Sequence, residues 1–253
     1  MKSFKDPKWQ AFVKKCKKRV TDDNKELGIE SVFLPQSEIC PKPKYLTIAM
    51  EPGMDSVEEM KKWIKMGYKG FVNFTIDYCA YKFLCGEKYQ YQFVDFCKGA
   101  MTQEDAGNSK TQRYKNWLPL LKEEWELLGK PPIIAVGKGM YDILTREIKK
   151  YKFEMKIADY IIHYSRQTAG YRKKIYERFQ LKSYLPKEEN KIEMKKVIDE
   201  LLKKNELKQS AISEIWNGKL YKDIEQEQLF ALYKSNFKDF KTKGKIQHFL
   251  RRS

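Results

Sequence analysis

Between about residues 44 and 180, short apolar runs alternate with amphipathic stretches, and this alternation is the feature that most limits the fold. YLTIAM (45–50) is an apolar run fenced by prolines, which disfavour helix at and before their own position. MDSVEEMKKWIKMGYKG follows as a helix, with Ser56 as N-cap and Val57, Met60 and Ile64 on one face. KYQYQFVDF (88–96) alternates as a strand does. NWLPLLKEEWELLGK reads as a helix closed by Gly129, and PPIIAVGKGMYDILTREI as strand, glycine turn and helix. EMKIADYIIHYS supplies another strand and TAGYRKKIYERF another helix, while FVNFTIDYCAYKFL is aromatic and ambiguous. FKDPKWQAFVKKCKKRV, upstream of the first strand, forms an amphipathic helix.

Strand–helix alternation of this kind implies right-handed crossovers and a parallel sheet covered on both faces. The expected architecture is a three-layer α/β/α fold around a central, mostly parallel sheet of four to five strands. After Pro186 the strand signal stops and the chain reads as Lys-rich helix. The expected organisation is therefore an α/β domain over 1–185 and a basic helical C-terminal extension over 186–253.

Charge limits the partners. The 253 residues carry a formal net charge of +17, and residues 151–253 hold 24 Lys and Arg against 14 Asp and Glu. Such an excess fits a polyanion, either nucleic acid or an anionic membrane surface. No run approaches the ~18–20 apolar residues of a membrane span. MKSFKDPKWQ lacks the apolar core of a signal peptide. The five cysteines, Cys16, Cys40, Cys79, Cys85 and Cys97, form no CxxC pair, so they read as reduced packing thiols of a cytoplasmic protein and not as a zinc ribbon.

In parallel sheets of this kind ligands bind beyond the carboxyl ends of the strands. Four residues fall there: Glu51 after YLTIAM, Asp95 at the end of QYQFV, Gly137 after IIAV, and His163 after DYII. GKG (137–139) lacks the full phosphate-loop pattern and reads as a turn.

These strand ends, taken in order, resemble the motifs of the uracil-DNA glycosylase superfamily. IAMEPG (48–53) places Glu51 before Pro52, where the family carries a catalytic Asp or Asn. FVDFCKGAM (93–101) places Asp95 where the family carries the Asn that reads the pyrimidine edge. PPIIAVGKGMYDIL (131–144) matches the next strand, glycine and helix. IIHYSRQTAG (161–170) matches a His-Pro-Ser motif and the DNA-inserting loop, with His163 and Ser165 kept and Tyr164 in place of proline. The match covers roughly residues 40–182, and the last 70 residues have no counterpart in it.

The resemblance implies a monofunctional DNA glycosylase acting on double-stranded DNA with no metal or organic cofactor and no membrane. Glu51 would stabilise the sugar cation and orient water, and His163 would stabilise the departing base. Asp95 would read the base; an ionised Asp only accepts hydrogen bonds, which suits the N4 amino group of a cytosine and opposes the O4 of uracil. The expected substrate is thus a flipped-out non-standard pyrimidine, foremost a modified cytosine such as a hydroxymethylated or glucosylated base of phage DNA, with antiviral defence as the role. The alternatives are a uracil-DNA glycosylase of base excision repair and a non-catalytic DNA-binding relative. Among Phe74, Tyr78, Tyr81 and Phe83, Tyr78 and Phe74 lead as the ring stacked on the base, and Asn73 offers a second polar contact. Arg166, Gln167 and Tyr171 are wedge or minor-groove candidates beside Ser165, and Arg172, Lys173 and Lys174 would grip phosphates.

Overall fold

A computed structural model describes residues 6–34, 39–40, 42–65, 76, 79–86, 90–163 and 224–246. The chain divides into two compact units, Met1–Val72 with Tyr89–Tyr160, and Asn73–Lys88 with Ile161–Ser253. The boundary expected after residue 185 lies outside the described residues.

In the first unit, helix α1 (Pro7–Leu27) opens on Asp6, whose carboxylate accepts from the Lys8 amide at 2.9 Å, and closes on Gly28 at φ 64°. Strands β1 (Ser31–Phe33) and β2 (Tyr45–Ala49) follow, then helix α2 (Val57–Lys65), where the Ser56 hydroxyl accepts from the Glu59 amide at 3.1 Å as the sequence predicts. Strands β3 (Tyr91–Asp95) and β4 (Gly99–Met101) lead to a short helix α3 (Gln103–Gly107) and to α4 (Lys110–Leu127). Strand β5 (Ile133–Val136) passes through Gly137, at φ 87°, into helix α5 (Lys138–Tyr151), and β6 (Ile157–Ile161) ends the sheet. A side chain at Gly137 would be strained in that left-handed turn.

The main sheet is parallel, in the order β3–β2–β5–β6, with helices flanking it: the expected α/β architecture with four strands. β1 and β4 form a separate antiparallel pair that the sequence reading passed over.

Alternation along the strands sends Leu46, Ile48, Val94, Ile133 and Ala135 into one core. There they meet Trp9, Phe12 and Val20 of α1, Trp117, Leu121 and Trp125 of α4, and Met140 and Leu144 of α5. Each fully buried aliphatic or aromatic side chain of this kind contributes about 1.5–3 kcal/mol relative to exposure. Thr47, Ala49, Ile134 and Val136, on the other face of β2 and β5, are also buried, which is why these strands read as continuous apolar runs.

The second unit contains a π-helical turn (Ala80–Leu84) and helix α6 (Ile224–Lys243), whose side chains are described from Leu232 onward. Leu232, Tyr233, Phe237 and Phe240 are buried, and the Tyr233 hydroxyl donates to the Ile162 carbonyl at 2.8 Å. α6 is the one described stretch of the expected helical extension, and it is helical.

Candidate active site at the carboxyl ends of the sheet

β2 and β3 run in parallel register with Ala49 opposite Asp95, so the two chains leave the sheet together. Backbone pairing then continues past both strands. Phe96 N donates to Ala49 O and Cys97 N to Met50 O, both at 2.9 Å; Met101 N donates to Pro52 O at 3.1 Å. The Glu51–Pro52–Gly53 segment is therefore pinned to the turn after β3. Pro52 has no amide to offer, but its carbonyl is used.

Glu51 turns toward the start of α4. Tyr114 donates its hydroxyl to Glu51 Oε2 at 3.0 Å, and Arg113 Nη2 stands 3.4 Å from Oε1. Arg113 is fully buried and is fixed by more than this ion pair: Nη1 donates to the Asp105 and Asn108 carbonyls at 3.2 and 2.9 Å, and Nη2 to the Ala106 carbonyl at 2.8 Å. Those carbonyls belong to the end of α3, where a helix leaves acceptors unsatisfied. The Glu51 side chain is 9% exposed, so an anion with two fixed partners keeps a narrow open edge. Burial, then the Glu51 carboxylate, pushes the Tyr114 phenol up, which keeps it protonated and donating. Burial and Glu51 also raise the neighbouring Cys97 thiol well above its usual value, so this cysteine is a packing residue and not a nucleophile.

Asp95 has a different environment. It is half-buried, and desolvation pushes its carboxyl up to about 7, with Glu124 and Glu51 adding to the rise and Lys98 opposing it. The Lys98 ammonium binds the Asp95 main-chain carbonyl at 2.5 Å and Glu124 Oε2 at 2.6 Å. Lys98 and Glu124 are both buried, so this ion pair locks the turn after β3 onto α4.

Two carboxyl groups thus stand at adjacent strand ends in unlike surroundings. One is ion-paired and held by a phenol; the other is desolvated and titrates near neutrality. Carboxyl groups in unlike surroundings can differ in chemistry. Met50 sits beside them, with Lys110 Nζ 3.9 Å from its sulfur and 5.6 Å from the centre of the Tyr114 ring. The first turn of α5 passes close by: a Cβ on Gly139 would lie 3.2 Å from Met50 Cε.

The other expected site residues divide as follows. His163 lies two residues beyond β6, half-buried, in the second unit. Asn73, Phe74 and Tyr78 lie outside the described residues, as do Ser165, Arg166, Gln167, Tyr171, Arg172, Lys173 and Lys174. Sequence reasoning missed Arg113, Tyr114, Lys98 and Glu124. Their signal is weak: RY lies ahead of Asn116, where the helical pattern of the sequence becomes legible, and Lys98 and Glu124 resemble any surface charge in a chain so rich in both. Among the described residues no group of His, Cys, Asp and Glu is arranged to hold a metal ion, and no helix is long and apolar enough to cross a membrane. The chain matches no protein-family model, no curated protein and no solved structure.

Proposed function

We propose that the chain is a monofunctional DNA glycosylase that hydrolyses the N-glycosidic bond of a flipped-out, non-standard pyrimidine and leaves an abasic site. The observation that carries this reading is the pair of unlike carboxyl groups, Glu51 and Asp95, at neighbouring strand ends. The order of motifs from residue 48 to 170 adds to it, as does the charge excess suited to a polyanion.

Glycosidic cleavage builds positive charge on the sugar and negative charge on the leaving base. Groups fixed beforehand stabilise such charges without reorganisation. Glu51, held by Tyr114 and Arg113, supplies the fixed anion for the sugar. The attacking water bonds to C1′ as the C1′–N1 bond breaks, and the bonding pair leaves on the base. The water's surplus proton passes to Glu51 and then to solvent. The base anion then takes a proton from solvent.

Asp95 reads the base edge, and its titration near neutrality sets what it reads. Ionised, it only accepts, which suits the N4 amino group of a modified cytosine, the favoured substrate, and with it an antiviral role. Protonated, it donates from one oxygen and accepts at the other, which suits O4 and N3–H of uracil. Its raised pKa therefore favours a second reading, uracil excision, below about pH 7.

The test is a panel of duplexes, each with one uracil or one modified cytosine, scored for alkali-labile abasic sites between pH 6 and 8.5. The expected result is excision whose preference moves from uracil toward the amino-bearing base as pH rises. No abasic site from any duplex overturns the proposal.

A further inference from the structure

Lys110 opens α4 and meets the Tyr114 ring one turn on. Its Nζ lies 5.6 Å from the centre of that ring and 3.9 Å from the Met50 sulfur. The residue is half-buried there. Neither neighbour is an anion, and among the described residues Lys110 has no acidic partner. Other cations around this end of the sheet are paired: Arg113 stands 3.4 Å from Glu51, Lys98 2.6 Å from Glu124, and Lys138 2.5 Å from Asp142.

The helix itself does not favour this placement. The amino end of a helix is positive, so a cation in the first turn is held against the dipole, and the first turn of α4 contains no acid to offset it. A ring face attracts an ammonium group but does not neutralise it. A charge partly withdrawn from water beside such neighbours is suited to an anion. Glu51 does not supply that anion: its oxygens face Tyr114 and Arg113. Because Arg113 already balances the Glu51 carboxylate, a second anion can approach Lys110 without meeting an uncompensated negative charge.

We infer that Lys110 binds one phosphodiester group of a DNA strand, the one next to the nucleotide that faces Glu51. Tyr114 relates the two residues: its hydroxyl holds Glu51 and its ring face carries Lys110. A carboxylate for the sugar and a cation for the adjoining phosphate are thus set by a single side chain. Phosphate contacts fix register and orientation without reading sequence, which is what bringing C1′ to Glu51 requires. The inference rests on the glycosylase reading for the nucleotide at Glu51, while the unpaired cation beside that carboxylate does not depend on it.

The test uses the full chain with Lys110→Gln and with Lys110→Arg, and reads binding instead of base release. Urea unfolding confirms that both variants fold. The probe is a fluorescent duplex with one modified cytosine, its backbone either intact or carrying an uncharged methylphosphonate at one linkage flanking that base. The parent is expected to lose roughly ten-fold in affinity at one such linkage, the low end for a hydrogen bond to a charged group. Lys110→Gln loses as much on the intact duplex, has a slope of log K against log salt shallower by about 0.9, and is indifferent to the methylphosphonate at that linkage. Lys110→Arg restores the penalty there. A lysine with a purely structural role would lower affinity without making it blind to one linkage. The inference is overturned if Lys110→Gln keeps the parent's penalties at every linkage, or if the parent binds no duplex. Lys110-dependent binding of free deoxycytidine monophosphate, with no linkage effect on the duplex, overturns it too. A linkage effect in a parent that yields no abasic site overturns the glycosylase reading and supports the phosphate contact.

Discussion

The Tyr114 hydroxyl donates to Glu51 Oε2 over 3.0 Å, joining the exit of β2 to a residue of α4 63 positions later. A carboxylate at the end of a parallel strand is thereby held in one orientation, and Arg113 keeps it company as the cation. The expected behaviour of this arrangement can be measured piece by piece.

Tyr114→Phe removes the donor and leaves the ring, whose packing on Phe96 at a centroid distance of 5.0 Å persists. A hydrogen bond to a charged group contributes about 1.5–3 kcal/mol, so urea unfolding shows a loss of that size at neutral pH. In an excision assay, release of the base slows more than duplex binding weakens.

Arg113→Met leaves the Glu51 carboxylate and the α3 carbonyls without their cation. Breaking a buried pair from one side costs about 3–5 kcal/mol. Adding Glu51→Gln to that variant costs less than the sum of the two single changes, because the two residues share one interaction. Additive losses in denaturant titrations contradict the coupling.

Lys98→Met takes the cation away from the buried Glu124 carboxylate and by the same logic costs about 3–5 kcal/mol. Lys98→Met with Glu124→Leu recovers most of it. Failure of the double variant to recover shows that the Lys98 bond to the Asp95 carbonyl, and not the ion pair, fixes this turn.

Asp95 gives a pH signature of known sign. Its carboxyl rises from 3.8 to about 7 on folding, so between those values the native state holds a proton that the unfolded chain has lost. Stability from this group is full below about pH 4 and falls as pH rises toward 7, at up to about 1.4 kcal/mol per pH unit. Asp95→Asn removes that fall. The difference in unfolding free energy between the two proteins, followed from pH 4 to 8, therefore grows in favour of the Asn variant as pH increases. A flat difference contradicts a desolvated, shifted carboxyl.

The fold was legible where one physical rule dominated. YLTIAM, IIAV and their neighbours are short, apolar and fenced by Pro or Gly, which leaves buried parallel strand as the economical reading, and the sheet contains them. Ser56 and Gly129 marked helix ends because capping chemistry is local. β1 and β4 escaped notice because three residues carry no period, and their pairing depends on partners 70 positions apart, such as Ser31 and Met101. The strand-end position was enough to single out Glu51 and Asp95. What surrounds them was not legible: Arg113 and Tyr114 matter through tertiary contact with Glu51, and the shift at Asp95 comes from burial, which no local pattern encodes.

The central claim is that a carboxylate fixed at the exit of β2 drives release of a pyrimidine base. Its most direct measurement is single-turnover excision on the best duplex of the panel with Glu51→Gln, which keeps an acceptor for Tyr114 and the side-chain volume. The account predicts a rate lower by roughly 10²–10⁴, with duplex affinity within a few-fold of the parent. Excision by Glu51→Gln at the parent's rate, in a protein that folds and binds as before, would contradict it.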